Sequence, residues 1–196
     1  MNWLAHVFLS PCLFEDRLGN IIADLIKGKQ RKSLSPIFDK GIECHLLIDS
    51  FTDRHPVFKQ SKKRIIVEQK RYSGILIDVF YDHLLARNWH LYSQISLGEF
   101  TTEVYESFLN NLDKIPPTIV TNIKRIVDED LLGSYYHIAG IEKTLIRIKR
   151  RLSTKHNHNF DVDQAMKQLQ DDYSNFNQDF NLFFPEIIEH IEHNLD

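Results

Sequence analysis

Histidine and aspartate concentrate in four short stretches within residues 1–90 of this 196-residue chain. The stretches are NWLAHVFLS with His6, GNIIADLIKG with Asp24, CHLLIDSFTDRHP with His45, Asp49, Asp53 and His55, and DVFYDHLLARNW with Asp78, Asp82 and His83. Imidazole and carboxylate groups bind divalent cations and transfer protons, which are the two requirements of metal-assisted hydrolysis. The sequence therefore predicts a metal-dependent hydrolytic site built by the first half of the chain.

Two pairs of these residues have the spacing of one helix face. His45 and Asp49 are four residues apart, as are Asp78 and Asp82, and residues i and i+4 lie one above the other on an α-helix. An ordinary solvent-exposed helix face would show the same spacing, so both interpretations stay open at this point. His83 points about 100° away from Asp82 on an ideal helix, which gives it a different neighbour.

The surroundings of several of these residues are apolar. His6 interrupts LAHVFL, Asp24 lies within IIADLI, and Asp78 lies within ILIDVF. For His6 the competing interpretation is a hydrogen-bonded core histidine, and for Asp24 it is a buried salt bridge. A buried carboxylate needs a positive partner because its desolvation is costly. The nearest basic residues in sequence are Lys27, Arg54 and Arg87. One or two divalent cations, Mn²⁺, Mg²⁺, Fe²⁺ or Zn²⁺, would satisfy several carboxylates together.

Other catalytic chemistries have no motif in the chain. There is no G-x-S-x-G elbow, P-loop or G-x-G-x-x-G fingerprint, so metal-activated water is the favoured nucleophile. The two cysteines, Cys12 and Cys44, make no disulfide framework, as expected in a reducing cytoplasm. No targeting segment and no apolar stretch of membrane-spanning length is visible, so we expect a cytoplasmic protein without membrane contact.

Charge is distributed unevenly along the chain. Residues 156–196 hold one lysine and nine acidic residues, whereas residues 1–155 hold 23 lysines and arginines and 18 acidic residues. A basic body with an acidic tail suits an acidic protein partner, with the tail as a modulator. The simpler alternative is that the tail is a solvated helix face. The net charge of −3 does not indicate a nucleic-acid partner.

Helical periodicity runs through most of the sequence, and we find no useful strand alternation. Asp16 and Gly28 mark the start and stop of one helix, and Ser35 with Pro36 opens the next. The basic stretch KGKQRKSLSP between them is predicted to be a loop. The predicted helices cover 16–27, 36–51, 57–70, 75–89, 96–113, 117–132, 138–152 and a long segment from about 163, which Pro185 is expected to kink or split.

These elements and the composition predict the fold class. With 42% apolar residues and 13 phenylalanines, the chain can fill a core, and its length suits one domain. We predict an all-α fold, a compact helical bundle that forms a single helical domain over residues 1–196. Residues 1–90 carry the histidine and aspartate motifs, and residues 156–196 form an acidic C-terminal helical segment.

In its motifs the chain resembles the acyl carrier protein phosphodiesterases, a family of divergent HD-type phosphohydrolases. The resemblance is densest in MNWLAHVFLS, GNIIADLIKG, GIECHLLIDSFTDRHP and DVFYDHLLARNW, and it extends more loosely to the FFP element at 183–185. It implies an HD-phosphohydrolase-like bundle and hydrolysis of the phosphodiester that links 4′-phosphopantetheine to a serine of acyl carrier protein. It also implies a divalent cation, with Mn²⁺ preferred and Mg²⁺ or Fe²⁺ as alternatives.

The resemblance further implies the composition of the site. The positions carried over as metal and catalytic residues are His6, Asp24, His45, Asp49, Asp78 and Asp82. Asp24 is expected to be central, as a metal ligand or as the carboxylate that orients the attacking water. His6 joins it in the predicted catalytic set. His83 is assigned to that set as well. His83 and Asp53 are also candidates to hydrogen-bond the metal ligands without binding the metal themselves.

One position departs from the family pattern. An arginine is expected directly after the motif histidine His45, where this chain has Leu46. If that arginine normally holds a phosphate oxygen or a carboxylate, Arg54 or Arg87 could substitute for it. The departure leaves the predicted metal site intact and bears on the substrate or on the efficiency of the reaction.

Acyl carrier proteins are small and acidic, so basic runs are candidate docking surfaces. The favoured partner-binding surface is the run nearest to Asp24, formed by Lys27, Lys29, Arg31 and Lys32. Further basic runs occur at 59–64 and 147–151, and each run would equally suit a solvated face. Two other functions stay open: an HD-type phosphohydrolase for a nucleotide or another small phosphodiester, and a helical binding module with a structural metal site.

Overall fold

The structure is a computed structural model that describes residues 1–28, 31, 34–153 and 160–195. Within these residues the chain forms eleven α-helices and no strand. The helices are α1 Trp3–Leu9, α2 Phe14–Leu25, α3 Asp39–Arg54, α4 Pro56–Arg64, α5 Ser73–Arg87, α6 Leu97–Leu109, α7 Val120–Asp128, α8 Leu131–Ser134, α9 Ile138–Ser153, α10 Val162–Asp171 and α11 Tyr173–Asn194. Short 3₁₀ helices lie at Pro36–Phe38, Val67–Tyr72, Trp89–Leu91 and Leu112–Lys114.

The all-α prediction is confirmed, and most of the predicted helices are present with shifted ends. Helix α1 was not predicted, because seven residues are too few for a clear periodic pattern. The segment predicted from about 163 onward contains two helices, which meet at Asp172. Residues 29, 30, 32 and 33 of the predicted basic loop lie outside the described part of the chain. In that described part, no helix is both long enough and apolar enough to span a bilayer.

Helix α5 forms the centre of the bundle. Leu76, Ile77, Phe80, Leu84 and Leu85 are fully buried along it, and a helix that is apolar on nearly all sides belongs in a core. Helices α1, α4, α9 and α11 all pack against α5. Helix α5 therefore sets the positions of α1 and α9, the two helices that border the site described below.

Helix α11 is a core element and continues through Pro185. Of the two predicted outcomes at this proline, a kink or a split, the split is therefore wrong. A proline inside a helix costs about 3 kcal/mol, but Phe183, Phe184 and Ile187 are fully buried around it. Burial of such side chains contributes roughly 1.5–3 kcal/mol each, which outweighs the cost of the proline.

Helices α2 and α3 form the most extensive helix pair of the described chain, and two glycines permit their close approach. A Cβ atom on Gly41 would overlap the backbone carbonyl of Asp16. A Cβ atom on Gly19 would lie 3.1 Å from the Cα atom of Gly41. Only glycine fits at such a crossing. The contact matters for function because α2 and α3 carry residues of the candidate site.

We expect Gly41→Ala to lower the free energy of unfolding by about 3 kcal/mol, because the new methyl group forces the two backbones apart. Chemical denaturation monitored by circular dichroism measures this change. Gly74→Ala is the matched control: Gly74 has open space around it in α5, so alanine should be neutral or slightly stabilising there. Equal stability of the Gly41→Ala variant and the wild type would contradict this account of the crossing.

Candidate metal centre

Two helices bring two imidazoles and one carboxylate together. His6 comes from α1, and His45 and Asp49 lie one turn apart on α3. One ligand atom from each lies within 4.8 Å of the others. The Nε2 atom of His6 is 3.4 Å from Asp49 Oδ1, and the Nε2 atom of His45 is 3.1 Å from Asp49 Oδ2. The two rings stack with centroids 4.4 Å apart. We call these three residues the triad.

The buried side-chain amide of Asn20 orients both imidazoles through their Nδ1 atoms. The Oδ1 atom of Asn20 accepts from His6 Nδ1 at 2.8 Å and from His45 Nδ1 at 3.0 Å. Its Nδ2 atom donates to the backbone carbonyl of His6 at 3.1 Å and to the hydroxyl of Ser10 at 2.8 Å. These donor bonds define the orientation of the amide, so Oδ1 faces the two rings. Such outer contacts hold metal-binding histidines in one tautomer and one ring orientation.

The donor atoms of the triad fit a divalent cation. An amide oxygen can only accept a hydrogen bond, so each imidazole donates to it from Nδ1 and directs its Nε2 atom toward the carboxylate of Asp49. A divalent cation between the three groups would take the Nε2 lone pair of each imidazole and an oxygen of Asp49. Without a cation, an Nε2–H group that donates to Asp49 would satisfy the same contacts. Nitrogen and oxygen donors of this kind suit a first-row divalent metal.

Burial influences protonation in the triad. It lowers the pKa of His6 below the ordinary value of 6.5, and the neighbouring carboxylate of Asp49 only partly opposes this. Burial by itself would raise the pKa of Asp49, but the imidazoles of His45 and His6 outweigh burial and hold that pKa below its usual range. At neutral pH the triad therefore presents a neutral His6 and an ionised carboxylate, which is the protonation state that binds metal.

Two more of the predicted residues, Asp24 and Asp78, line the cavity that contains the triad, a space of about 170 Å³. The Oδ2 atom of Asp24 accepts from the indole of Trp3 at 3.1 Å, and its Oδ1 atom is 3.7 Å from Lys27 Nζ. Asp78 Oδ1 accepts from the amino group of Met1 at 2.7 Å. Both carboxylates are about one-third exposed, at 32% and 31%, so they face the cavity without joining the three clustered ligand atoms.

Asp82 is fully buried and contacts backbone amides. It accepts from the backbone N–H groups of Asn2 at 3.1 Å, Leu4 at 2.7 Å and Ala5 at 3.4 Å. These amides belong to the N-terminus of α1, where carboxylates are favoured. Burial raises the pKa of Asp82 to about 7, against the opposing effects of the terminal ammonium and the amides. Its position links α5 to the helix that carries His6.

His83 lies apart from the triad and contacts other elements. Its Nδ1 atom donates to the backbone carbonyl of Tyr135 at 2.7 Å, and its Nε2 atom is 3.4 Å from the hydroxyl of Tyr173. The side chain is buried. These contacts tie α5 to the segments before α9 and at the start of α11. Burial lowers the pKa of His83 below 6.5, and the backbone bond to Tyr135 opposes this only in part.

We expect the free energy of unfolding to fall as the pH decreases below about 6.5. The unfolded chain takes up protons on histidine near that pH, whereas the folded pKa values of His6 and His83 are lower. Each histidine contributes up to about 1.4 kcal/mol per pH unit within this window. Asp82, whose folded pKa is about 7, takes up its proton in the folded state and opposes the two histidines by up to the amount of one of them. Urea titrations at pH 7.5, 6.5 and 5.5 in chelator measure the slope. In His83→Gln the slope should be shallower, and an unchanged slope would exclude His83 as a contributor.

The other predicted residues are placed as follows. Asp53 is exposed at the end of α3, and the Nε2 atom of His55 is 3.0 Å from Glu186. In the predicted docking run, Arg31 donates to the backbone carbonyls of Ala23 and Ile26 at the end of α2. Lys27 is 75% exposed. Lys29 and Lys32 lie outside the described residues.

The arginine that lines the triad cavity comes from the second half of the chain. It is Arg151 of α9. Arg54 instead donates to the backbone carbonyl of Ser50, and Arg87 lies over the ring of Tyr136. Leu46 is 52% exposed and does not line the cavity.

Asn20, Trp3 and Arg151 are residues of the site that the sequence did not lead us to predict, and only Asn20 had a signal. The signal was present, because Asn20 and Asp24 are four residues apart within LGNIIADL and both interrupt the same apolar run. An amide on a buried helix face needs partners as a carboxylate does. Trp3 and Arg151 had no comparable signal, since aromatic and basic residues are common on helices.

The fold and the triad define a helical protein with a candidate site for a divalent cation. A family profile described as acyl carrier protein phosphodiesterase matches residues 1–187. The chain belongs to the acyl carrier protein phosphodiesterase family.

Curated relatives agree with this membership. The acyl carrier protein phosphodiesterase of Serratia proteamaculans (strain 568) is 29% identical over 180 residues, which cover 90% of this chain and 93% of the relative. That of Escherichia coli O45:K1 (strain S88 / ExPEC) is 31% identical over 146 residues, which cover 74% of this chain and 76% of the relative. No solved structure matches the chain significantly, so the kinship with HD-type phosphohydrolases stays a prediction.

Proposed function

We propose that this protein is a metal-dependent phosphodiesterase that hydrolyses the bond between 4′-phosphopantetheine and a serine of acyl carrier protein. Water attacks the phosphorus atom and the bond to the serine oxygen breaks, which releases apo-acyl carrier protein and 4′-phosphopantetheine. Family membership supports the substrate. The observation that carries the chemistry is the convergence of two imidazoles and a carboxylate within 4.8 Å, beside further carboxylates.

In this proposal His6, His45 and Asp49 hold the cation, and Asn20 orients both imidazoles. A bound divalent cation would stabilise negative charge on the phosphate and lower the pKa of water. The oxygen-rich cavity favours Mn²⁺, with Mg²⁺ or Fe²⁺ as alternatives. Asp82 and His83 act at a distance as positioning residues, because their contacts hold α1 and α5 in place.

Asp24 is the residue we assign to proton transfer. Its carboxylate lines the triad cavity, and the indole of Trp3 holds Oδ2 in place at 3.1 Å. The other oxygen is 3.7 Å from Lys27, and the side chain of Asp24 is about one-third exposed at 32%, so water can reach this carboxylate. Asp78 of α5 lines the same cavity, where the terminal ammonium of Met1 already balances its charge.

Arg151 is assigned to the phosphate, because its guanidinium matches two phosphate oxygens at once. We expect Arg151→Gln to lower kcat/KM for holo-acyl carrier protein by roughly 10²-fold, as measured by initial rates. Arg150→Gln is the matched control. It removes the same charge from the preceding residue of α9, and Arg150 does not line the cavity. Equal losses in the two variants would show that only the general basic charge matters.

The partner surface and location are proposed from charge and cysteine content. Exposed Lys27 borders Asp24, and basic residues on α9 adjoin the cavity, so an acidic carrier protein would meet positive charge on two sides. Exposed pairs of this type are screened over about 8–10 Å at moderate salt.

Cys12 and Cys44 are unpaired, which agrees with a reducing cytoplasmic location.

Mass spectrometry of holo-acyl carrier protein incubated with the protein tests the function. With Mn²⁺ the carrier should lose the mass of phosphopantetheine, and chelator should abolish the loss until metal is restored. Turnover of nucleotides or small phosphodiesters alone would favour a general HD-type phosphohydrolase. Full activity in a metal-stripped preparation would exclude the metal-dependent chemistry, and no turnover of any phosphodiester would favour a binding module.

A further inference from the structure

A second cavity, of about 250 Å³, adjoins the triad cavity. The residues that line both are Asn2, Trp3, Asp24, Ile148 and Arg151. These shared walls make the two spaces neighbouring compartments of one cleft between α1, α2 and α9. A substrate whose phosphate lies at the triad would therefore have room for its next segment in the second cavity.

The second cavity combines apolar walls with unused polar atoms. Leu131 and Ile148 supply aliphatic surface, and Trp3 and Tyr135 supply rings. Thr144 is only 6% exposed, and its hydroxyl lies beside that of Tyr135 without a well-aligned hydrogen bond among the described residues. A buried hydroxyl without a partner is unfavourable. Its position in the wall shows where a ligand with polar groups would gain a hydrogen bond.

Arg147 contributes a second unused donor. One of its guanidinium nitrogens pairs with Glu129, whereas Nη1 is buried and has no hydrogen-bond partner among the described residues. Because Glu129 already balances the charge of Arg147, the Nη1 atom suits a neutral acceptor such as an amide carbonyl, whereas Arg125 and Arg151 place positive charge on other parts of the wall.

We infer that the second cavity binds the pantetheine arm of the substrate, an inference that rests on the proposed function. The arm is a neutral chain with two methyl groups and a hydroxyl near the phosphate, followed by two amides. With the phosphate at the triad and Arg151, the methyl groups meet Trp3 and Ile148 at the shared wall. The amides then reach the free donors of Thr144 and Arg147. Apolar walls with a few placed polar groups are typical of small-molecule sites.

Two variants test the assignment by substrate discrimination. Thr144→Val removes the hydroxyl and keeps the shape, and Ile148→Trp fills the passage between the compartments. Each is assayed on holo-acyl carrier protein and on a carrier whose serine bears a short alkyl phosphodiester. We expect Thr144→Val to lower kcat/KM for the holo form about fivefold to tenfold, the effect of one lost hydrogen bond, and Ile148→Trp to lower it further. The short substrate should be unaffected by Thr144→Val.

Thr52→Val is the matched control for Thr144→Val. Thr52 is also buried, and its hydroxyl also lacks a partner among the described residues, but it lines neither cavity. The control variant should cleave both substrates as the wild type does. Equal effects of the two valine variants, or unchanged discrimination in Ile148→Trp with an intact melting temperature, would overturn the assignment.

Binding measured without turnover separates this inference from the proposed function. Pantetheine, which lacks the phosphate, is titrated calorimetrically into the wild type and into both cavity variants. Binding to the wild type that weakens in Thr144→Val and is lost in Ile148→Trp supports the cavity assignment. The same binding in a protein that does not cleave holo-acyl carrier protein would refute the activity but not the site. Cleavage by a wild type that shows no pantetheine binding would refute the site but not the activity.

Discussion

Asp49→Asn should reduce kcat for holo-acyl carrier protein by at least about 10³-fold, the largest effect we expect from a single substitution in this protein. The change keeps the shape of the side chain but removes the negative charge that faces both Nε2 atoms, at 3.4 and 3.1 Å. A neutral amide binds a divalent cation far more weakly than a carboxylate does. Calorimetric titration with Mn²⁺ and single-turnover rates measure the two losses separately.

Stability distinguishes a metal ligand from a structural group at this position. Asp49 is 49% exposed, so its replacement should change the melting temperature in chelator only slightly. Asp53→Asn is the matched control, because Asp53 lies one turn further along α3 and is exposed. That control should keep wild-type activity and metal affinity. A variant of Asp49 that melts far below the wild type in chelator yet retains its turnover would show that the triad is a structural ion pair.

Asn20→Leu should lower the affinity for Mn²⁺ by roughly 10- to 100-fold, as is typical when the group behind a metal-binding histidine is removed. Asn20 accepts from both imidazoles, so without it neither ring is held in the tautomer that directs Nε2 toward Asp49. The variant should also lose about 3–5 kcal/mol of unfolding free energy, because it leaves several buried polar groups without partners. Metal titration and urea denaturation measure the two effects.

Ser10→Ala provides the control for this variant. The hydroxyl of Ser10 accepts from the amide nitrogen of Asn20 at 2.8 Å and donates to the backbone carbonyl of His6 at 2.8 Å, so alanine removes two bonds of the network but leaves both contacts to the imidazoles. We expect a loss of about 2 kcal/mol in stability with nearly unchanged metal affinity. Comparable metal affinities for Asn20→Leu and the wild type would exclude an orienting role for the amide.

Periodicity and capping signals were sufficient for the all-α fold and for the approximate positions of most helices. Both signals come from residues that are close together in sequence and share one helix face or one helix end, so each segment contains its own signal. Helix α1 escaped prediction because it is short, and α11 continues through Pro185 because the burial of Phe183 and Phe184 outweighs a local penalty. In both cases the deciding contacts come from other parts of the chain.

For the site, the sequence by itself identified the i, i+4 pair of His45 and Asp49 and the apolar surroundings of His6. It could not tell which buried carboxylate faces a cation, because desolvation can be offset by a metal ion, a basic side chain or the amides at a helix N-terminus. Asp82 has the same local signature as the triad carboxylate, yet its oxygens contact the backbone of α1.

Contacts between helices bring these groups together. The close crossing of α2 and α3 at Gly19 and Gly41 places Asn20 against two imidazoles that lie 14 and 25 positions away from it in sequence. The packing of α9 against α5 brings Arg151 to the same cleft. Sequence spacing determines neighbours along one helix, whereas neighbours between helices depend on crossing geometry and on the side chains that fill each contact.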